Sequence, residues 1–455
     1  MYEKLKAHYI TLGCKLNFAE TSTLSDRLAE CGVERAADKQ PADICVINTC
    51  TVTETSNHKC RQAIHKTQRL NPDAMIVVMG CYAQLAARQI AEMEGVDLVI
   101  SMEHKAQAVE LIMQAYEDRQ QQMALNTPVE ALHRFQEVKL KDIKSFMPSC
   151  SRGERTRFFL KVQDGCDYFC TYCTIPIARG HSRNGSVESL VAQAQQVAAL
   201  GGKEIVITGV NIGDFGKTTG ESFFDLLKAL DQVDGIERYR ISSIEPNLLT
   251  EEIIDFCASS RKFMPHFHIP LQCGSDEVLR LMHRRYDTRL FASRIEYIKK
   301  VMPDAFVGVD IIVGTRGETD ELFEESYAFA RSIDVAQYHV FSYSERPGTA
   351  ALRIPHTVDE KVKHQRSQRL IALSEEKRIA FYSKYIGTVR PVLTEHSHRG
   401  LAAKGFTDNY IRVEVPVDAH AEADNTVRYF RLTGFNPDKT ALIGEPADNF
   451  DINQQ

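Results

Sequence analysis

Three times in the first hundred residues, a short run of apolar and β-branched residues ends in cysteine and gives way at once to a helical pattern. "HYITLGC" (8–14) precedes a helix near 17–31, "ICVINTC" (44–50) one near 54–70, and "MIVVMGC" (75–81) one near 83–94. "VDLVIS" (96–101) is a fourth strand. Strands that alternate with helices of this length lie parallel, because each helix carries the chain back across the sheet, and the helices then cover both faces. The expected fold class is therefore α/β, beginning with a parallel-sheet domain over residues 1–125.

The position of the cysteines says more. In an open α/β sheet the carboxyl ends of the strands share one edge, where ligands bind, and neighbouring strands lie about 4.8 Å apart. Cys14, Cys50 and Cys81 each follow a strand directly. Three thiols so placed can converge on one inorganic cluster, and Gly13 and Gly80 let the backbone turn close to it. The plainer reading is that cysteine is simply a common buried residue. Cys31, Cys45, Cys60, Cys150, Cys257 and Cys273 are expected to follow that reading.

Residues 126–150 read as a connection, and a second β/α series fills 151–375. Its strands fall at 158–163, 204–209, 238–244, 266–270, 306–312 and 336–342. Six β/α units suggest a partial TIM-like barrel, (β/α)6, with its chemistry at the carboxyl ends of the strands. A charged helix near 357–384 leads out of it. The pattern then changes to short strands at 388–395, 400–406, 410–415, 426–433 and 439–443, which suggest a small OB-like β-barrel over 376–445. Residues 446–455 form a polar tail.

"GCDYFCTYC" (165–173) directly follows the first strand of this second series. It places Cys166, Cys170 and Cys173 at C-x3-C-x2-C spacing. Loops this short let three thiolates reach one [4Fe–4S] cluster and leave the fourth iron open. A zinc site or buried structural thiols are the alternatives. Zinc sites draw on separated pairs of cysteines or on cysteines with histidines at regular spacing, and His181, the nearest histidine downstream, fits no common pattern. The start "MYEKLKAHYI" lacks the apolar core of a signal peptide, and no apolar run reaches membrane-span length. A cytoplasmic location is expected, where twelve cysteines point to metal or redox chemistry before disulfides.

C-x3-C-x2-C after the first strand of a partial barrel resembles the radical S-adenosylmethionine (SAM) superfamily. The order of three domains resembles the methylthiotransferases within it. The motifs are "TLGCKLN" (11–17), "INTCTVT" (47–53), "MGCYAQ" (79–84), "GCDYFCTYCTIPIARG" (165–180), "RISSIEP" (240–246), "HIPLQCGSDEVLRLMHRRY" (268–286) and "DIIVGTRGET" (310–319). The resemblance implies two [4Fe–4S] clusters, one on each cysteine triplet. It implies S-adenosyl-L-methionine as radical source and as methyl donor, and a C-terminal TRAM domain. Tyr172 is implied beside the adenine of SAM, and Gly209, Asn211, Ser243 and Glu245 are candidates to line the SAM site. For these four a strand-end turn or cap is the competing reading. The segment 310–319 departs from the family's wording, which more often has phenylalanine and proline where Thr315 and Arg316 stand.

The family modifies an isopentenyl-adenosine in tRNA, N6-threonylcarbamoyladenosine (t6A) in tRNA, or an aspartate of a ribosomal protein. The motif wording at 48–66 and 268–275 is most similar to the t6A branch. It implies a tRNA partner, with t6A at position 37 beside the anticodon, together with an electron donor and a sulfur source. The net charge of −6 excludes a basic coat and requires a local RNA-binding surface. Arg390, Arg399, Lys404, Arg412, Arg428 and Arg431, interleaved with Phe406, Tyr410, Tyr429 and Phe430, are candidates for it, as are Arg284 and Arg285. A solvated barrel surface is the competing reading. An iron–sulfur electron carrier or a non-catalytic tRNA-binding module are rival classes, but neither explains two open coordination sites or a barrel able to enclose a substrate.

Overall fold

Buried on both faces, a strand is apolar at nearly every position, and the chain supplies two such runs, one of them ending in the buried, hydrogen-bonded Asn48 and Thr49. The computed structural model describes residues 5–37, 39–125, 134–135, 138–151, 156–395, 402–415 and 425–447. The N-terminal elements are β1 (Leu5–Thr11), α1 (Lys15–Glu30), β2 (Val33–Arg35), β3 (Ile44–Thr49), α2 (Glu54–Leu70) and β4 (Met75–Gly80). They continue with α3 (Cys81–Leu85), α4 (Ala87–Ala91), β5 (Leu98–Ile100), α5 (Ala108–Ala124) and β6 (Arg134–Phe135). The six strands form one sheet in the order β2-β1-β3-β4-β5-β6, parallel throughout. Every residue of β3 and β4 is buried. Leu24, Leu28 and Ile112 of α1 and α5 pack on one face, and Cys60, Ile64 and Ile90 of α2 and α4 on the other.

Three details differ from the sequence reading. The helix expected at 83–94 is two short helices broken at Ala86, whose φ of −130° and ψ of 34° leave the helical region. The segment expected as a connection, 126–150, contributes β6 to the edge of the sheet, because the unpaired backbone of β5 accepts one more parallel strand. Strand β2 went unexpected because "VER" has only one apolar residue.

The central elements are β7 (Ser149–Cys150), β8 (Arg157–Lys161), β9 (Gln163–Asp164), α6 (Ile175–Arg179), β10 (Arg183–Asn184), α7 (Val187–Ala199) and β11 (Glu204–Thr208). Next come α8 (Phe223–Asp231), β12 (Arg238–Ile241), α9 (Glu251–Ser259), β13 (His266–Gln272), α10 (Asp276–Leu281) and α11 (Thr288–Val301). The last are β14 (Phe306–Val313), α12 (Asp320–Ser332), β15 (Gln337–Ser342) and α13 (Glu360–Ser383). Strands β8, β11 and β12 pair in parallel, as do β13, β14 and β15. Bridges Tyr239–Phe263 and Ser243–His268 join the two sets. The result is a wall of six parallel strands in chain order, a partial barrel. Helix α1 enters its open side: Phe18 meets Phe159 edge-on with ring centres 5.8 Å apart, and Ala19 packs with Val206.

The third unit comprises β16 (Val389–Thr394), β17 (Ala403–Thr407), β18 (Arg412–Val415), β19 (Val427–Phe435) and β20 (Leu442–Pro446), closed as a barrel in the order β16-β17-β18-β20-β19. Helix α13 runs through the boundary expected at 375/376, because Phe381 and Tyr382 at its end pack into the small barrel's core. Arginines from the large barrel hold the small one. Arg240 donates to the carbonyls of Thr407 and Asp408, both at 2.8 Å, and Arg238 to those of Pro391 and Phe406 at 2.9 and 3.1 Å.

Candidate active site

The N-terminal triplet sits where three adjacent parallel strands end. Cys14 caps α1, Cys50 follows β3 and Cys81 opens α3. Gly13 has φ +103°, and a Cβ there would stand 2.8 Å from the Cys50 Cβ. Only glycine allows that approach. Gly80, at φ +102°, is equally confined, with Thr49 O 2.4 Å from any added Cβ. The Asn17 amide ties the loops together by donating to Leu12 O at 2.8 Å and Thr49 O at 2.9 Å. Burial pushes the Cys81 thiol up to about 11, against the pull of Arg179 and Lys105. Cys60 lies outside the triplet and exchanges hydrogen bonds with the Cys50 backbone.

The second triplet lies on the loop after β9. Gly165 (φ +70°) makes its tight entry, where a Cβ would collide with His181 O at 2.0 Å. Cys166 N donates to Gly180 O and Cys173 N to Cys170 O, each at 3.0 Å. Ile175 N reaches Cys173 Sγ at 3.4 Å. Burial raises Cys166 and Cys173 to about 12. Cys170 is raised too, though Arg284 opposes the effect with a guanidinium nitrogen 3.1 Å from its sulfur.

The thiols fit clusters better than single ions. A tetrahedral zinc site, with Zn–S near 2.3 Å, needs sulfurs about 3.8 Å apart. Among the described residues, neither triplet has all three sulfurs within 4.8 Å of one another. Spread thiols on glycine-relieved loops suit a larger inorganic core that takes several thiolates.

Tyr172 and Cys173 line a cavity of 320 Å³ closed by Gln272, Asp310, Ile312 and Phe341. The other four candidates for SAM lie off its lining. Glu245 joins the cluster loop instead through Arg284, with which it forms a buried ion pair. The same guanidinium reaches the Tyr172 hydroxyl at 3.4 Å. Gly209 packs against Gln163 and Ile212, and Ser243 bridges to His268. Asn211 is 2% exposed, and neither atom of its amide has a partner among the described residues. A buried amide in that condition is costly unless a ligand completes it. A second cavity of 640 Å³, between the N-terminal domain and the barrel, shares Thr53 and residues 342–344 with the first. Arg346 closes the junction by pairing with Glu54 at 2.8 Å and Thr51 at 3.0 Å.

Several residues near the clusters escaped the sequence reading. Arg179, at the end of α6, is buried between the two domains. It donates to Cys81 Sγ at 3.2 Å, Asn17 Oδ1 at 2.6 Å, Asp164 at 2.8 Å and Glu20 at 3.2 Å. Burial opposes ionisation of Glu20, but Lys105, Lys161 and Arg179 outweigh it and hold the carboxyl well below its ordinary range. On three neighbouring strands His268, Asp310 and His339 face one another: His268 Nε2 is 2.8 Å from Asp310 Oδ1, and the two rings are 5.2 Å apart. The alternation of inward positions along β13, β14 and β15 was the signal available for them.

Other expectations need correction. Arg284 is buried at the cluster loop and not on an RNA-facing surface. Arg285, by contrast, stays exposed while it stacks on Tyr168 and donates to Asp167 O at 2.8 Å. Phe430 is core. Phe406 and Tyr410 stack on each other, with Arg157 4.3 Å above Phe406, at the seam between the barrels. Arg390 is neutralised by Asp304 and Asp408. Lys404, Arg428 and Tyr429 remain exposed, with Arg412 and Arg431 half-buried; Arg399 lies outside the described residues. Cys31 is exposed, unlike the other five cysteines expected to be buried. Arg316 binds Glu345 at 2.7 Å and the carbonyls of Leu352 and Ile354, so this departure from the family's wording pins one loop to another.

Residues 160–330 match the radical SAM superfamily, and residues 6–101 match "Uncharacterized protein family UPF0004". A relative from Bacillus subtilis (strain 168), named threonylcarbamoyladenosine tRNA methylthiotransferase MtaB, is 41% identical over 412 residues, 89% of this chain and 88% of its own. One from Pelotomaculum thermopropionicum, named tRNA-2-methylthio-N(6)-dimethylallyladenosine synthase, is 32% identical over 86% of each chain. In fold, the chain is similar to a radical SAM methyltransferase, TsrM, from Kitasatospora setae, with a TM-score of 0.55 and 15% identity over 76% of this chain and 74% of that one. Among the described residues, no helix is long and apolar enough to cross a membrane.

Proposed function

The chain belongs to the radical SAM methylthiotransferase family, and from that premise we propose that it converts t6A at position 37 of tRNA to 2-methylthio-t6A. The observation that carries the reading is the meeting of two cysteine triplets across one domain junction, with Arg179, six residues after Cys173, bonded to Cys81. The named substrate of a relative 41% identical across most of both chains supports the choice of nucleoside.

Cys166, Cys170 and Cys173 hold one [4Fe–4S] cluster in this reading, and Cys14, Cys50 and Cys81 the other. When bound, the clusters and SAM supply one-electron chemistry and a methyl donor, which together replace an unactivated C–H bond by C–S–CH3. Side chains of this protein do the positioning. Arg284 offers a guanidinium beside Cys170, Asn211 an unsatisfied amide, and Tyr172 a wall of the adjoining cavity. The N-terminal domain docks on the barrel through Arg179 and Arg346, with the 640 Å³ cavity lying between them. The target base enters unstacked, which a nucleotide in the anticodon loop permits.

Nucleoside mass spectrometry of total tRNA with and without the gene tests this. Loss of 2-methylthio-t6A is expected. Its persistence, with loss of a methylthio-isopentenyl nucleoside or of the modified ribosomal aspartate, assigns the chain to a sibling branch. An electron donor and a sulfur source complete the reaction.

A further inference from the structure

Lys15 follows the thiol Cys14 directly and opens α1. It lines a solvent-accessible cavity of 260 Å³ where three domains meet: Cys14 and Phe18 from the first, Arg157 and Arg240 from the barrel, Tyr410 from the third. The cavity wall is cationic, but two of its cations are already answered. Arg157 pairs with Glu395 at 3.0 Å and Arg240 with Glu204 at 2.9 Å. Lys15 has neither an ion pair nor a hydrogen bond among the described residues. Asp310, the acid that faces it, is bonded to His268.

Lys15 is exposed to solvent on the cavity wall, so an entering anion gains a charge-assisted hydrogen bond there without an ion pair having to be broken first. The position next to Cys14 limits which anion. The reacting carbon of the substrate has to approach the N-terminal triplet, so the anion is carried close to that carbon. In t6A the ureido N–H folds back onto purine N1, which sets the threonyl carboxylate on the edge of the base that also bears C2. With C2 toward Cys14, the carboxylate comes to the Lys15 side. An isopentenyl group has no charge to offer there.

We propose that the Lys15 ammonium binds the carboxylate of the threonylcarbamoyl group and so selects t6A-bearing RNA; this rests on the substrate reading above. SAM is a second source of carboxylate, and the test separates the two. Full-length protein, reconstituted anaerobically, is given anticodon stem-loop RNA carrying either t6A or its methyl ester. Wild-type protein is expected to bind the free acid about tenfold or more tightly, the scale of one charge-assisted hydrogen bond. Lys15→Met removes that preference and Lys15→Arg restores part of it, with the loss in turnover falling mainly on KM for RNA.

Equal binding of acid and ester by the wild type overturns the proposal without any variant. A preference that survives in Lys15→Met also overturns it. So does a raised KM for SAM with the RNA preference intact, which reassigns Lys15 to SAM. A wild type that modifies isopentenyl RNA and leaves t6A RNA untouched overturns this proposal together with the substrate assignment.

Discussion

Arg179 Nε lies 3.2 Å from Cys81 Sγ, so the helix that follows one cysteine triplet delivers a cation to the other. The guanidinium is fixed by Asp164 from the barrel and by Asn17 from the N-terminal domain. A cation donating a hydrogen bond to a ligand sulfur stabilises the more negative, reduced state of a cluster. Arg179→Gln should therefore lower the reduction potential of the N-terminal cluster and leave that of the barrel cluster in place, as read by a redox titration followed by electron paramagnetic resonance. It should also cost on the order of 3 kcal/mol of stability, because a buried charge network loses a member. Arg179→Lys should move the potential less. An unchanged potential in Arg179→Gln reduces Arg179 to a structural tie.

Each triplet is expected to hold its own cluster. Anaerobically reconstituted protein should carry about eight irons, four in each. Replacing Cys14, Cys50 and Cys81 together by Ala should halve the iron while the protein still releases 5′-deoxyadenosine from SAM, with no methylthiolated RNA. Replacing Cys166, Cys170 and Cys173 should halve the iron and abolish SAM cleavage. Full iron content in either variant would falsify that ligand assignment.

Much of this was legible in the chain because its elements carry unbroken local signals. The largely apolar runs of β3 and β4, each stopping at a cysteine, marked both the parallel sheet and the edge where three cysteines gather. What escaped were environments set by partners far away in sequence. Arg179 answers Asn17, 162 residues distant, and Arg390 answers Asp304, 86 residues distant, so neither environment follows from neighbouring residues. The aromatic and basic C-terminal reading failed for a related reason. Adjacent residues on a strand point to opposite faces, so Tyr429 and Phe430 could not both meet solvent, and Phe430 is the buried one. Phe406 and Tyr410 were hidden by domain docking, which no period within a single segment reports.

Gly13 separates a packing requirement from a ligand requirement. A methyl group there would stand 2.8 Å from Cys50 Cβ and 3.0 Å from Cys50 Sγ, on a backbone at φ +103° that side chains avoid. Gly13→Ala should push Cys14 and Cys50 apart and cost the protein its N-terminal cluster, lowering iron from about eight to about four. SAM cleavage at the barrel should continue. Retention of both clusters would mean that the loop relaxes elsewhere.

Glu204 gives a pH test of how the two barrels are joined. The carboxylate is buried against Arg240 at 2.9 Å, with Arg157 and Arg238 close by, and Arg240 in turn holds the carbonyls of Thr407 and Asp408 in the small barrel. Burial raises the Glu204 pKa, but Arg240, Arg157 and Arg238 together outweigh it and leave it below the ordinary value. A folded-state pKa below the unfolded one stabilises the fold above the unfolded pKa, near 4.3 for glutamate, and that contribution is lost as pH falls through the folded value. Glu204→Gln should therefore destabilise the protein most at neutral pH, by about 3 to 5 kcal/mol, since it leaves buried guanidinium charge unanswered. The gap between wild type and variant, measured by urea denaturation, should narrow once the pH drops below the ordinary glutamate range. A gap that is constant from pH 7 down to 4 and below would show that Glu204 acts through its shape and hydrogen bonds and not through its charge.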